Sequence, residues 1–469
     1  MNMMLENEDI PRYLRVYDYY KELILSGQIQ PGTKIPSIRK GSKQFQMSRT
    51  TMESAYLLLA AEGYIISRPQ SGYYVTDIAE QQKKRISAPN VQKNKKQQKV
   101  IYDFVTSNVD RDSFRFELWR RYMKSALRQD ERLLSYGEPQ GEQDFREVLC
   151  KYLQKERSVV CTPEQIVIGA GVQSLLNILC PLVSERKKVA FYNPEFVQGR
   201  AVFEDYGYEI AGGYEEVGTR VYYVSPSQMT KWGGVMTITE RLTLIGEAHK
   251  RDFLIIEDDY NSEFRYFQKP TPSLQGLAGG RGVVYLGTFS KMLLPSIRMS
   301  FMVLPPELLE AYEKRRNMYN QTASKAEQIA ITQFIRDGHL SSQIRKSRKI
   351  HLAKATELAR VIQEVLQEKA EPEIGESGFH VYVRLKTECT AAELAERALG
   401  KGLAVLPQVQ KTELQEVKPQ EAEPQKVEVQ EKGAVTRLQS EKVVVVMLNC
   451  ANVAVEDYEA AMELLKECL

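Results

Sequence analysis

The sequence lacks several features that would place the protein in a membrane, outside the cell or around a metal ion. None of its apolar runs approaches the roughly 18 residues that a membrane-spanning helix needs. Residues 1–8 are acidic and contain no apolar signal core, so we expect a cytoplasmic protein. The six cysteines form no Cys-x-x-Cys pair and the four histidines have no ligand spacing, so we expect reduced thiols and no metal site.

The chain also has no strong excess of charge of either sign. Its formal net charge is +3, and 43% of its 469 residues are hydrophobic, which is typical of a soluble protein with two or three packed domains. Residues 1–76 carry nine Lys or Arg against seven Asp or Glu, a net charge of +2. Charge alone therefore does not indicate that this segment binds nucleic acid.

The first part of the chain nevertheless has the pattern of a winged helix-turn-helix. The spacing of apolar residues predicts a helix over residues 11–25. Ser37 and Ser48 are each positioned to cap a further helix. Two short runs rich in Tyr, Ile and Val, 64–68 and 73–76, flank a turn and predict two strands.

In such a unit, the third helix would enter the major groove of double-stranded DNA with its N-terminal residues close to base edges. The tip of the wing would reach the adjacent minor groove. A small helical bundle with an ordinary solvated face is the alternative interpretation. The candidate DNA-binding residues are Arg39, Ser48, Arg49, Thr50, Thr51, Arg68 and Gly72.

A lysine in the second half of the chain carries the strongest chemical signal. Lys291 follows the apolar run 283–286 and lies beside the hydroxyl side chains of Thr288 and Ser290. A lysine at a strand end, among small residues that suit a phosphate, is positioned to form a Schiff base with pyridoxal phosphate. Taken alone, the motif would more often be a solvent-facing lysine on a loop.

A second apolar run ends in acidic residues about thirty residues earlier. Residues 253–256 lead directly into Glu257, Asp258, Asp259 and Tyr260. Carboxylates at the end of a buried strand are costly unless a positive group meets them. A protonated pyridine nitrogen is such a group, so we expect Asp258 to face the ring nitrogen of the cofactor and Tyr260 its phenolic oxygen. A helix N-cap or a metal-binding pair of aspartates is the alternative.

A glycine-containing turn provides a candidate phosphate site. The predicted strand 165–168 is followed by two glycines and by an apolar helix. Small residues let backbone amides approach an anion, and the helix N-terminus adds partial positive charge. We therefore expect Gly171, Val172 and Gln173 to bind the cofactor phosphate, although many strand-to-helix turns share this pattern.

Together, these residues resemble a fold-type I aminotransferase over the region from Tyr102 to the C-terminus. The resemblance implies further cofactor contacts: Tyr136 offered to a neighbouring subunit, Phe196 stacked on the pyridine ring, and Arg298 paired with the phosphate. Ser225-Pro226-Ser227 matches the motif after the strand that supports the ring, and this match adds Ser227.

The N-terminal segment resembles the DNA-binding domain of GntR-type regulators, and the two halves in this order resemble MocR-type regulators. The resemblance implies an α/β protein with a winged helix-turn-helix and an aminotransferase-like domain that binds pyridoxal phosphate. It also implies a head-to-tail homodimer that reads repeated half-sites on operator DNA. The predicted domains are the winged helix at 1–77, a linker at 78–100 and the effector domain at 101–469.

Two segments have a biased composition. Residues 77–100 carry seven Lys or Arg against two acidic residues, which predicts a flexible basic linker. It either adds non-specific DNA affinity or serves only as a tether. Residues 408–442 are rich in Gln, Glu, Lys and Val, which predicts a mobile loop inserted in the effector domain or an edge hairpin over the site.

Departures from the family pattern include two positions in the winged helix and one near the C-terminus. Gly41 replaces a core leucine of the second helix, which should cost about 1 kcal/mol of helix propensity as well as lost burial. Gln46 replaces the glycine of the turn. Met447 stands where relatives that bind an amino-acid carboxylate have an arginine, and a thioether cannot pair with a carboxylate.

The combined prediction is a transcriptional regulator whose aminotransferase-like domain senses pyridoxal phosphate, an amine or an amino acid, without net turnover. Two alternatives stay open. One is a working aminotransferase that carries a DNA-binding arm, and the other is a sensor of pyridoxal phosphate alone. Turnover of an amino donor and a keto acid would favour the first, and an effect of the cofactor on promoter binding without amino acid would favour the second.

Overall fold

The structure is a computed structural model that describes residues 11–77, 100–106, 108–227, 234–260, 262–266, 271–376, 379–408 and 442–469. It divides into two compact units between Gln97 and Gln98. The predicted linker, apart from Val100, and the predicted insertion, apart from Gln408 and Lys442, lie outside the described residues. Both stay predictions.

The smaller unit contains three helices followed by an antiparallel pair of strands, in the order α1 Arg12–Leu25, α2 Ile38–Phe45, α3 Arg49–Ala61, β1 Ile65–Arg68 and β2 Gly72–Val75. The seryl caps form as predicted. The Ser37 and Ser48 hydroxyls accept the backbone N–H groups of Lys40 and Thr51 at 3.3 and 3.0 Å, which satisfies donors that each helix start leaves unpaired.

The larger unit is built around a seven-stranded sheet. Its strands are β4 Ile166–Gly169, β5 Lys188–Phe191, β6 Glu209–Ala211, β7 Val221–Val224, β8 Leu254–Asp258, β9 Val283–Thr288 and β10 Ser300–Val303. They are arranged in the order β4-β10-β9-β8-β7-β5-β6, and β10 is antiparallel to both of its neighbours. The strands are short continuous apolar runs because helices cover both faces of the sheet.

Helices pack on both sides of this sheet and around a smaller C-terminal sheet. Their bounds are α4 Phe116–Ala126, α5 Asp130–Leu133, α6 Gln143–Arg157, α7 Val172–Leu182, α8 Val197–Asp205, α9 Ile238–Arg251, α10 Leu274–Leu277, α11 Pro306–Arg315, α12 Lys325–Arg336, α13 His339–Leu366, α14 Ala391–Gly400 and α15 Tyr458–Lys466. None of the helices in the described ranges is long and apolar enough to cross a membrane.

The smaller sheet of this unit is antiparallel. It contains β11 Ala370–Ile374, β12 His380–Thr387, β15 Lys442–Asn449 and β14 Leu406–Gln408, in that spatial order. A separate parallel pair joins β3 Tyr102–Asp103 to β13 Leu403–Ala404. The alternation of parallel strands and helices in the larger sheet confirms the predicted α/β class.

Candidate cofactor site and DNA-binding surface

The predicted cofactor residues gather at one edge of the seven-stranded sheet. β4 and β9 run in the same direction because each is antiparallel to β10, and β8 is parallel to β9. The carboxyl ends of these three strands therefore share an edge with the start of β10. Gly171, Asp258, Lys291 and Arg298 all lie within a few residues of these strand ends, so the fold unites segments that are far apart in the sequence.

Lys291 is buried at this edge, with 7% of its surface exposed. Its Nζ atom lies 5.1 Å from the centre of the Phe379 ring. Burial lowers the pKa of Lys291 to about 8, because the charged ammonium loses solvation. The alternative of a solvent-facing loop lysine is wrong. A lysine with this pKa reaches its neutral, nucleophilic form more readily than an exposed one.

Asp258, the last residue of β8, is held by a tyrosine. The Tyr223 hydroxyl donates to Asp258 Oδ2 at 2.7 Å. Burial raises the pKa of Asp258 to about 6, the Tyr223 hydrogen bond acts to lower it, and the charge of Asp259 acts to raise it. A cation placed beside Asp258 would therefore stabilise its ionised form. The predicted stacking residue is close by, since the rings of Phe196 and Tyr223 have centroids 5.2 Å apart.

The neighbouring carboxylate, Asp259, has a different role. Its oxygens accept from Arg157 Nε at 2.7 Å and Nη2 at 3.1 Å, and also from the Tyr285 hydroxyl. Ser227 Oγ donates to it at 3.2 Å. Burial alone would raise the pKa of Asp259, but the Arg157 guanidinium holds it below its usual value. The predicted cofactor contact of Ser227 stays a prediction.

The aspartate pair therefore does not act as one unit, because each carboxylate has its own partner. Among the described ranges, no group of three or more His, Cys, Asp or Glu side chains is arranged to hold a metal ion.

The candidate phosphate site combines a helix N-terminus with an arginine. Gly171 precedes α7 with a φ of +106°, and a Cβ atom added there would lie 2.5 Å from Arg298 Nη2. A side chain at this position would have to displace the guanidinium, and the positive φ also favours glycine. Val172 and Gln173 open α7, so their backbone N–H groups have no acceptor within the helix. The N-terminus of α7 and the Arg298 guanidinium therefore both place positive charge beside Gly171, and together they form a small cradle that fits a phosphate.

Three hydroxyl groups lie at the neighbouring end of β9. Thr288 Oγ1 is 3.1 Å from Ser290 Oγ and 3.0 Å from Ser300 Oγ, and it accepts the Ser290 N–H at 3.2 Å. The sequence predicted the first two hydroxyls. Ser300 was missed because it lies on β10, and only the pairing of β9 with β10 places it opposite Thr288.

Two predicted tyrosine contacts remain predictions. The Tyr136 side chain is fully exposed, and its backbone carbonyl oxygen accepts a hydrogen bond from Lys325 Nζ at 3.2 Å. A fully exposed tyrosine agrees with the implied contact to a neighbouring subunit. Tyr260 follows Asp259 directly and is half-buried.

Sequence reasoning missed two histidines near Lys291. Burial lowers the pKa values of both His351 and His380 to about 4, and the charge of Lys291 acts in the same direction. The His351 ring packs against Phe379 with centroids 4.3 Å apart. Among the described residues, nothing forms a hydrogen bond to His351 Nδ1. No local motif marks these histidines, since one lies on α13 and the other on β12.

Met447 lies on β15, where the resemblance places an arginine in relatives that bind carboxylates. It is half-buried and is paired with Tyr382 of β12 and Leu406 of β14. Opposite residues in antiparallel strands point to the same face, so Met447 and Tyr382 share a face with His380. Met447, Tyr382 and His380 therefore place a thioether and two rings on this face, and the same alternation also places Arg384 there, paired with Glu373 at 3.0 Å.

In the smaller unit, the predicted reading residues lie at the start of α3. Arg49 and Thr50 are exposed, as is Arg39 on α2. The hydroxyls of Ser48 and Thr51 lie 2.7 Å apart, so each already has a partner. Arg49 and Thr50 are therefore better placed to contact bases than Ser48 and Thr51 are.

The structure corrects the expected effect of Gly41. A Cβ atom added at Gly41 would lie 2.6 Å from Met52 Cε, and both Met52 and Tyr56 are fully buried. The predicted loss of burial is therefore wrong, because Met52 and Tyr56 fill the space that a leucine would occupy. Gln46 ends α2 with a φ of +52°, in the left-handed region that favours glycine.

Known proteins share both units of this chain. Residues 12–75 match the family described as bacterial regulatory proteins, gntR family, and residues 101–212 and 219–423 match aminotransferase class I and II. The chain is 36% identical over 416 residues to the HTH-type transcriptional regulator YdeL of Bacillus subtilis (strain 168). This match covers 85% of this chain and 89% of the relative.

More distant relatives agree with this assignment. The chain is 26% identical over 435 residues to the probable rhizopine catabolism regulatory protein MocR of Rhizobium meliloti, covering 87% of this chain and 88% of the relative. An archaeal alanine:glyoxylate aminotransferase superposes with a TM-score of 0.63 at 19% identity, over 79% of this chain and 90% of that one, which shows the shared fold alone. The chain belongs to the gntR family of bacterial regulatory proteins, as a MocR-type transcriptional regulator with an aminotransferase-like domain.

Proposed function

We propose that this regulator binds pyridoxal phosphate at the sheet edge and uses the bound cofactor to control its binding to operator DNA. One observation carries the proposal: buried Lys291 shares this edge with Asp258 and with the cradle of Gly171 and Arg298. These groups supply the amine, the acid and the positive phosphate site that the cofactor requires.

Each residue has a distinct role in this proposal. When bound, pyridoxal phosphate supplies an aldehyde that captures amines and a ring that withdraws electrons. Asp258 would hold a proton on the ring nitrogen while Tyr223 fixes the carboxylate in place. Phe196 would stack on the ring, Arg298 would pair with the phosphate, and Lys291 would hold the cofactor through its Nζ.

The effector that best fits this site is pyridoxal phosphate itself. A guanidinium that pairs with a carboxylate contributes about 1.5 to 3 kcal/mol, and Met447 cannot replace it. We therefore expect ordinary amino acids to bind weakly to the loaded protein. A titration that shows saturation at micromolar amino acid would contradict this part of the proposal.

The regulator would act as a head-to-tail homodimer on double-stranded operator DNA in the cytoplasm. The full exposure of Tyr136 leaves its side chain accessible for the contact with a second copy that the resemblance implies. Family membership supports DNA binding through the winged helix.

A working aminotransferase is the second candidate, because Lys291 and Asp258 keep the arrangement that amine exchange needs. Steady-state conversion of an amino donor and a keto acid separates the two functions. We expect at most a single exchange per bound cofactor, whereas sustained turnover would favour the enzyme.

Visible absorbance of the purified protein tests the cofactor proposal. We expect wild-type protein mixed with pyridoxal phosphate to keep a visible band after desalting, and Lys291→Ala to remain folded without the band. Lys314→Ala is the matched control, since Lys314 lies at the surface of α11 and pairs with Glu310 at 2.7 Å. A colourless wild-type protein would contradict the proposal.

A further inference from the structure

The wing of the smaller unit has three chain segments rather than two. In addition to β1 and β2, Lys34 forms a bridge with Tyr74. The Ile35 N–H donates to the Tyr73 carbonyl at 3.0 Å, and the Val75 N–H donates to the Thr33 carbonyl at 3.0 Å. The segment before α2 therefore pairs with β2 as an additional strand.

This pairing fixes which side chains share the solvent face. Tyr74 lies opposite Ile66 in β1 and opposite Lys34 in the added segment, and Arg68 lies opposite Gly72. Alternation along a strand directs the intervening residues, such as Val75, to the core. Lys34, Arg68 and Tyr74 therefore project from one outer face of the wing.

The two cations on this face converge on a single aromatic ring. The Arg68 guanidinium lies 4.4 Å and Lys34 Nζ lies 5.8 Å from the centre of the Tyr74 ring. The Tyr74 hydroxyl is 2.7 Å from Ser71 Oγ. A Cβ atom added to Gly72 would lie 3.3 Å from Lys34 Cε, so the lysine chain passes close to the tip of the wing.

Within the described residues 11–77, no carboxylate balances the positive charge of this face. Lys21 and Glu62 form an ion pair in this part of the chain. Among residues 11–77, no carboxylate oxygen lies within 4.0 Å of the charged nitrogens of Lys34 or Arg68. Holding two like charges beside one ring is unfavourable unless an anion joins them. Arginine and lysine over an aromatic ring retain free N–H donors for such an anion.

We propose that Lys34, Arg68 and Tyr74 form a binding site for a phosphate of the DNA backbone. Lys34 and Arg68 donate to the phosphate oxygens, and Tyr74 is a positioning residue that holds both cations on the face of the wing. Such a site adds affinity and orientation but reads no base. The inference rests on the proposed function only in taking duplex DNA as the partner.

Salt-dependent binding of the full-length protein to two fluorescent duplexes of unrelated mixed sequence tests this site. Lys34→Gln should weaken binding to both duplexes equally, about tenfold at about 50 mM salt, and should reduce the slope of log affinity against log salt by about 0.9. Lys34→Arg should bind like the wild type. Lys386→Gln, which removes an exposed charge of the larger unit, is the matched control and should have a smaller effect.

Tyr74 separates a binding role from a merely structural one. Tyr74→Leu should weaken binding to both duplexes although no charge is removed, whereas Tyr74→Phe keeps the ring and should bind like the wild type. The thermal midpoint of Lys34→Gln should equal or exceed that of the wild type, because a like-charge repulsion is relieved.

Three results would overturn the inference. Unchanged affinity and salt slope in Lys34→Gln would show that no phosphate is bound there. Unequal losses on the two duplexes would indicate base reading instead. A wild-type protein that binds neither duplex at about 50 mM salt would contradict the electrostatic binding to the DNA backbone on which the proposed function also depends, and this outcome separates failure of the proposed function from failure of the wing site.

Discussion

The two units of this protein hold their candidate functional groups in opposite ways. In the winged helix, Arg49 and Arg68 lie at the surface and depend little on the core beneath them. In the larger unit, Lys291 is buried and Asp258 is half-buried, and loss of solvation shifts their pKa values toward neutrality. Surface groups suit a long-range attraction to a polyanion, whereas buried groups suit a small cofactor that replaces lost solvation. Substitutions should therefore separate affinity from stability in the first unit more readily than in the second.

The largest effect should come from the buried ion pair. Asp259→Asn leaves the Arg157 guanidinium buried without its charged partner, which should lower the free energy of unfolding by about 3 to 5 kcal/mol. Urea unfolding measures this loss. A loss below about 1 kcal/mol would show that the pair contributes little to the larger unit.

The adjacent aspartate should behave differently. Asp258→Asn should weaken retention of pyridoxal phosphate by about 3 kcal/mol, roughly 100-fold, because the ring nitrogen loses its charged partner. Stability without cofactor should change much less than in Asp259→Asn, since Tyr223 holds Asp258 by one hydrogen bond between uncharged and charged groups, whereas Asp259 pairs with a buried guanidinium. Equilibrium dialysis of the cofactor and urea unfolding, done on both variants, show whether the two aspartates have separate roles.

In the winged helix, Arg49→Ala should cost about 1 to 3 kcal/mol on operator DNA and less on unrelated duplexes. Arg39→Ala is the control on the preceding helix, and it should weaken both kinds of DNA equally if it contacts phosphate. Fluorescence anisotropy with both duplexes measures the difference. Equal operator binding by Arg49→Ala and the wild type would rule out α3 as the reading helix.

The shifted pKa of Lys291 predicts how cofactor uptake depends on pH. The neutral amine is the nucleophile, so the uptake rate should rise about tenfold per pH unit below the folded pKa and level off above about 8. Stopped-flow absorbance of cofactor-free protein measures this rate. An uptake rate that still rises tenfold per unit above pH 9 would indicate an ordinary, exposed lysine.

The smallest effect concerns the turn of the winged helix. Gln46→Gly should stabilise this unit by about 1 kcal/mol, because glycine adopts the left-handed conformation without steric cost. Gln44→Gly, inside α2, should instead destabilise it by about 1 kcal/mol. Thermal unfolding of the two variants should therefore shift in opposite directions.

The sequence predicted the elements that depend on local patterns. Capping serines, the glycine before α7 and the apolar strand before Lys291 each have a local signature, and the structure contains the corresponding elements. The family resemblance supplied Arg298, whose guanidinium does lie beside Gly171.

Residues that reach a site only through tertiary packing have no local sequence signature. Tyr223 was missed because an apolar strand does not show which tyrosine faces Asp258, and His351 because its distance from Lys291 depends on how α13 packs. Met52 illustrates the same limit: a residue eleven positions after Gly41 fills its missing volume, which only the packing of α2 against α3 reveals.

DNA affinity measured with and without pyridoxal phosphate, in the wild type and in Lys291→Ala, tests the central claim most directly. The account predicts that the cofactor changes the affinity of the wild type for its operator and leaves Lys291→Ala, which should still bind DNA, unchanged. The same response in both proteins, or no response in a wild type that visibly holds the cofactor, would contradict it.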